Sequence, residues 1–163
     1  LIVVALIIGL DKISEKIFYV EKPESPGYKV EVVATSKTSS SDKAETVDIS
    51  ALMAMGDFEH GKKIFKKCAA CHSVNQGGGN KIGPALYNVV GRNVGGVSGY
   101  KYSKSLIAYG NEWTFEELNG FLIKPATWIK GTKMAFAGLK KEKDRASVIL
   151  YMNQNGDNPT PLP

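Results

Sequence analysis

The ten residues KKCAACHSVN, 66–75, contain both cysteines of this 163-residue chain and one of its two histidines. No other stretch restricts the fold as much. Three chemistries use C-x-x-C: a thiol–disulfide pair, half of a zinc site, and covalent attachment of haem. A structural zinc site takes four Cys or His ligands, commonly two such pairs, and only one pair is present. A thioredoxin-like pair belongs on a βαβ frame, for which the chain gives hardly a strand signal. A purely structural disulfide here would close a tiny loop and contribute little, because the entropy removed from the unfolded chain grows with loop length. Haem attachment fits the spacing. Thiols three apart on a helical turn point the same way, so Cys68 and Cys71 can both add to the vinyl groups of one haem. His72, four residues after Cys68, can turn an imidazole nitrogen onto the iron as its proximal ligand.

The surrounding pattern predicts an all-α body of short helices and long loops. GDFEHGKKIFKKCAACH reads as a helix capped at Asp57, with Phe58, Gly61, Ile64, Phe65 and Cys68 along one side. Seven glycines between Gly77 and Gly96 mark a long loop. A short helix is expected over 103–109. A second starts at Thr114, with Glu117 at the capping-box position, and stops before Pro125. KKEKDRASVILYMNQNG reads as a final amphipathic helix ended by Gly156. Loops this long point to something other than helix packing at the centre of the core.

Upstream, LIVVALIIGL is ten apolar residues, roughly 15 Å as helix against a bilayer core of about 30 Å. Ile13, Ile17 and Val20 continue at helical spacing, and Phe18 and Tyr19 suit an interfacial belt. Residues 1–22 therefore read as the tail of a membrane anchor truncated at its start. The remnant of a signal peptide and a buried strand are the alternatives. Pro23, Pro26 and Gly27 stop any helix, and ATSKTSSSDKAETVD is a polar, aromatic-free tether. The expected organisation is anchor 1–22, flexible linker 23–55 and haem domain 56–163.

Iron in such a site commonly takes a second axial ligand. Met53, Met55, Met152 and His60 are candidates beside Met134. The first two precede the body, Met152 sits in the last helix where core packing explains it, and His60 lies on the cysteine helix itself. Met134 lies in the loop KGTKMAFAG, about sixty residues after the cysteines, and can fold over the opposite face. Methionines are more often core residues than ligands, but the loop context favours ligation by Met134.

Beyond the motif, GDFEHGKKIFKKCAACHSV, GPALYNVVGR, GYKYSKS, Trp113 and GTKMAFAGLKK occur in an order and spacing that resembles the class I cytochromes c of the mitochondrial type. The resemblance runs from Gly56 to about Asn153. It implies one covalent haem c, with Cys68 and Cys71 as thioether attachments and His72 and Met134 as axial ligands. It also implies that the carbonyl of Pro84 accepts the other N–H of His72, which would raise ligand basicity, and that Arg92, Tyr102 and Trp113 surround the propionates. Gly61, Phe65, Val148 and Tyr151 match the crossing of the first and last helices. Phe121 and Leu106 stand where relatives usually carry a tyrosine and an asparagine, so the distal side is expected to be drier.

The front half resembles membrane-anchored cytochromes c of α-proteobacteria. That likeness implies a non-enzymatic, tethered one-electron carrier between the quinol-oxidising cytochrome bc complex and cytochrome c oxidase, free or within a supercomplex. The haem domain would face the periplasm from the inner membrane. Charge agrees: residues 1–56 carry a net of −2 and residues 57–163 a net of +7. A basic body suits docking on acidic partners, and family position makes Lys66, Lys67, Lys81, Lys124, Lys133 and Lys140 the rim; solubility alone is the plainer account of the same lysines. A haem peroxidase would need an open sixth position, and binding of nucleic acid has no motif behind it.

Overall fold

A computed structural model describes residues 47–163, together with Lys12. The expected anchor, 1–22, and the expected tether up to residue 46 lie outside the described residues. The chain divides into two units, Leu1–Asp42 and Lys43–Pro163. Residues 47–163 form six helices: α1 (Ile49–Ala54), α2 (Phe58–Ala69), α3 (Lys104–Tyr109), α4 (Phe115–Ile123), α5 (Pro125–Trp128) and α6 (Glu142–Gln154). Extended pairing in this region is confined to one bridge, Asn93 with Glu112. No helix among the described residues is long and apolar enough to cross a membrane.

The caps account for the helix starts. The Asp57 carboxylate accepts the His60 N–H at 2.6 Å, while the Asp57 N–H donates to Ser147 Oγ at 3.1 Å, so the cap of α2 is also bonded to α6. Ser103 and Thr114 accept N–H groups of Leu106 and Glu117 at 3.2 Å each, as expected for α3 and α4. The capping box at Thr114 does not close. The Glu117 carboxylate goes instead to Tyr109, Asn111 and Trp128, and the Thr114 N–H is taken by the Glu112 carbonyl.

Three expectations are corrected. The stretch expected as the end of the tether is helix: the Asp48 side chain accepts from Ser50 and Ala51, and α1 buries Leu52 and Met53 at 2% exposure each. Two fully buried apolar side chains outweigh a Ser-rich lead-in. Pro125 does not only stop a helix. It holds Lys124 extended, then opens α5 from the first helical position, where its missing N–H costs nothing. Lastly, α6 is not amphipathic. Residues 145–150 are all buried, because α1, α2 and α4 pack around it. Its polar members are satisfied inside. Arg145 donates to Asn119 Oδ1 at 2.7 Å and to the Leu139 and Lys140 carbonyls at 2.9 Å, and Asn153 exchanges two bonds with the Thr160 backbone.

The most extensive helix pair is α2 with α6. At its crossing a Cβ on Gly61 would stand 2.0 Å from the Ser147 carbonyl oxygen, so only glycine lets the two backbones meet. Tyr151 then packs between Phe58 and Phe65 with tilted rings, their centroids 5.2 and 5.3 Å away. This crossing fixes the C-terminal end of α2, where the cysteines lie.

Candidate functional site

The last turn of α2 runs on into the cysteine–histidine stretch. The Cys68 carbonyl accepts both the Cys71 and His72 N–H groups, at 3.0 and 2.9 Å. Both cysteines are half-buried, and they are not joined to each other. Burial pushes the Cys68 thiol up to about 11, against a smaller downward pull from Lys67. A reactive redox cysteine needs the opposite environment. Among the described residues no group of three or more His, Cys, Asp or Glu side chains is placed to hold a metal ion by itself, which leaves the zinc alternative without a ligand set.

His72 is 9% exposed. Its Nδ1 lies 2.7 Å from the Pro84 carbonyl oxygen. A carbonyl can only accept, so Nδ1 carries the proton and Nε2 keeps a free lone pair. Burial, with a further contribution from Lys81, holds the imidazole below its usual value, and the Pro84 bond opposes that shift. The ring lies against Gly83, where a Cβ would come within 2.3 Å of Cε1. The loop that carries Gly83 and Pro84 is stitched to the motif. Gly83 N–H donates to the Cys71 carbonyl at 2.8 Å, Leu86 N–H to the Ser73 carbonyl at 2.7 Å, and Lys81 Nζ to the Ala69 carbonyl at 2.9 Å. The role of Gly83 was not readable in the sequence: a G-P pair signals a turn, not an imidazole packed on it.

A second cluster holds Arg92, Tyr102 and Trp113. Arg92 and Trp113 flank the Asn93–Glu112 bridge and are joined by backbone bonds: Trp113 N–H donates to the Arg92 carbonyl and Gly91 N–H to the Trp113 carbonyl, both at 2.9 Å. The Arg92 guanidinium spends two donors on the Tyr87 and Ala85 carbonyls, at 2.9 Å each. Its Nε is buried with no partner. An orphaned guanidinium donor beside an apolar core is suited to a carboxylate ligand, since such a donor otherwise costs about 1–3 kcal/mol. Burial pulls Arg92 down and pushes Tyr102 up. Tyr102 accepts the Val97 N–H at 3.3 Å, and Trp113 packs against Phe121 with centroids 4.9 Å apart.

Met134 is half-buried against the same hydrophobic cluster as Cys68 and Tyr102, which includes Leu106, Trp113 and Phe121. Its N–H donates to Thr132 Oγ1 at 3.3 Å. The rival ligands have other engagements. Met53 and Met152 are core residues, Met55 is exposed, and His60 pairs with Asp144 at 2.7 Å. The six expected rim lysines are all exposed, and Lys133 donates to the Lys101 carbonyl at 3.0 Å. The residues present thus fit a haem: two half-buried thiols, a neutral imidazole with a free Nε2, an unsatisfied buried Arg donor and an apolar lining that includes a thioether.

The cytochrome c family model matches residues 58–156. A protein of Bradyrhizobium diazoefficiens described as a cytochrome c homolog is 38% identical over 151 residues, covering 90% of this chain and 82% of its own length. Cytochrome c of Gibberella zeae is 48% identical over 104 residues, covering 63% of this chain and 98% of its own. Among solved structures, cytochrome cH from Methylobacterium extorquens superimposes with a TM-score of 0.57 at 36% identity, over 61% of this chain and 99% of that one.

Proposed function

Because this chain belongs to the cytochrome c family, electron-transfer proteins that bind covalent haem c, we propose that it is a membrane-tethered carrier taking electrons from a quinol-oxidising cytochrome bc complex to cytochrome c oxidase. It is a cytochrome c electron carrier, and the haem supplies the redox chemistry, one electron at a time. In this reading Cys68 and Cys71 would hold the haem as thioethers, and His72 Nε2 and the Met134 sulfur would ligate its iron. The carrying observation is the His72 Nδ1–Pro84 bond of 2.7 Å, which leaves Nε2 available in a buried, neutral ring.

The chain's own residues do four things. The Pro84 carbonyl orients the imidazole and increases its basicity. Arg92 Nε, Tyr102 and Trp113 would receive the propionates, with the guanidinium already braced by two backbone carbonyls. Leu106, Phe121 and the other apolar side chains exclude water, so little reorganises when charge changes. The exposed lysines 66, 67, 81, 124, 133 and 140 face acidic patches on partners and speed encounter without tight binding.

The tether reading is supported by how far the relatives reach. The Gibberella protein is nearly complete against 104 residues of this chain, whereas the Bradyrhizobium match covers 90% of it and extends well upstream of residue 47. In this reading an N-terminal segment precedes the haem domain. We place that domain on the periplasmic side of the inner membrane, held by residues 1–22 with 23–48 as the tether.

Replacing Met134 tests the site. Met134→Ala should abolish the methionine–iron charge-transfer band and lower the midpoint potential, because a thioether opposite an imidazole raises it. An unchanged potential would show that another residue ligates the iron. For the partners, electron-transfer rates to purified oxidase should fall as ionic strength rises; a flat salt dependence would remove the lysine docking face.

A further inference from the structure

The segment that carries Met134, residues 129–138, enters and leaves against the same helix. At its exit the Leu139 N–H donates to the Leu122 carbonyl of α4 at 2.8 Å. At its entry stands Trp128, the last residue of α5. The Trp128 indole lies on α4 at Gly120, where a Cβ would come within 2.3 Å of the ring. Its Nε1–H donates at 2.9 Å to Oε2 of Glu117, also on α4. Glu117 gathers two more donors: Tyr109 Oη at 2.7 Å to Oε2 and Asn111 Nδ2 at 3.0 Å to Oε1. One carboxylate therefore joins the end of α3, the turn after it, the first turn of α4 and the end of α5. Tyr109 is raised above its ordinary value by burial and by the Glu117 carboxylate, so it remains a donor.

Beyond Trp128 the path to Met134 is short and hydrogen-bonded. Ile129 is 4% exposed and its N–H donates to the Pro125 carbonyl at 3.0 Å, Thr132 N–H donates to the Ile129 carbonyl at 3.1 Å, and Met134 N–H to Thr132 Oγ1 at 3.3 Å. The exit anchor is a backbone bond that side-chain replacement leaves intact. At the entry, the one side-chain hydrogen bond from Trp128 to α4 ends on a single carboxylate.

We propose that Glu117 is a positioning residue for the electron-transfer site, holding the Met134-bearing segment against α4 through Trp128 and so setting how rarely the sulfur leaves its place. This rests on the reading of Met134 as the distal ligand. Trp128 is 42% exposed, so its packing alone is a weak anchor and the charge-assisted bond matters more.

The test uses the complete haem protein in three variants: Trp128→Phe, which keeps a ring but removes the N–H; Glu117→Ala; and Glu117→Gln, which keeps an acceptor but not the charge. Two signals are followed through a urea titration, the methionine–iron charge-transfer band and helical circular dichroism. Amide hydrogen exchange is measured separately on residues 129–134 and on α2 and α6. In Trp128→Phe and Glu117→Ala, the population that has lost the band before the helices unfold should rise about five- to tenfold, in line with one hydrogen bond to a charged group at a partly exposed site. Exchange of residues 129–134 should accelerate by the same factor, with α2 and α6 unchanged and Glu117→Gln in between. Band and exchange identical to the parent protein in Trp128→Phe and Glu117→Ala overturn the proposal while leaving Met134 as ligand. A Met134→Ala protein that keeps the band overturns the ligand reading instead, and the exchange of 129–134 then still decides whether the anchor exists.

Discussion

Gly83→Ala adds one methyl group at the point where the fold presses an imidazole onto the backbone. The new Cβ would lie 2.3 Å from Cε1 of His72 and 2.7 Å from each ring nitrogen. Carbon atoms settle at about 3.5–4.0 Å, so the ring must retreat by roughly 1.2 Å. The Nδ1–Pro84 bond, now 2.7 Å, cannot keep its length and angle through that shift. Overpacking costs about 1–3 kcal/mol and the lost bond about 1 more, giving about 2–4 kcal/mol in total. With a urea slope near 2 kcal/mol per molar, the unfolding midpoint should fall by about 1–2 M. Gly79→Ala supplies the control on the same loop, since a Cβ there meets nothing within 4 Å. The assay is urea unfolding of the haem proteins by circular dichroism, with the midpoint potential measured alongside. Gly79→Ala should leave both unchanged, whereas Gly83→Ala should lower stability and move the potential, because the orientation and basicity of His72, the proposed proximal ligand, change together. Equal unfolding midpoints and equal potentials for the two variants would refute the argument that Gly83 is required for space beneath the ring.

Three further outcomes can be checked. Gly61→Ala should be destabilising by at least about 3 kcal/mol in thermal unfolding, although helix propensity alone predicts a gain of about 1 kcal/mol, because the Cβ would stand 2.0 Å from a backbone oxygen that cannot rotate away; a raised melting temperature would show that the α2–α6 crossing can slide. Arg145→Lys should cost about 2–3 kcal/mol by the same measurement, since an ammonium group cannot reproduce the fork that reaches Asn119 and the Leu139 carbonyl together. Asp157 is held below its ordinary value of 3.8 chiefly by the Tyr87 hydroxyl and then by Asn88. Its folded-state value is depressed, so its contribution is present above about pH 3.8 and is lost as pH falls further; protection of the amides of residues 156–160, measured against their intrinsic exchange rates, should fall below that pH, and Asp157→Asn should make that protection independent of pH over the same range.

Much of the site was legible in the sequence because its chemistry is local. Cys68, Cys71 and His72 are set by spacing on one helical turn. The capping residues Asp57, Ser103 and Thr114 start helices by bonding N–H groups three residues on. Met134 stood out because its neighbours could not form a helix or strand, and a methionine in an irregular loop lacks the usual core explanation. The final helix misled because burial was inferred from side-chain polarity. An amphipathic pattern implies one polar, solvated face, yet Arg145, Ser147 and Asn153 each find hydrogen-bond partners inside. The 49–54 helix was masked by the polar run before it, since six residues, ISALMA, are too few to show a helical period.

What the sequence determined by itself is the identity of the reactive groups and the helical turns that present them, since both depend on residues within about four positions of one another. Tertiary structure alone decided the rest. It set how closely the Pro84 carbonyl, which the resemblance had already pointed to, approaches His72, which donor of Arg92 is left over, and which carboxylate fastens Trp128 to α4. Those facts join residues that are 12, 7 and 11 positions apart in the chain. Their distances depend on how loops close over the crossing of α2 and α6, and no periodicity in one strand of sequence encodes that closure.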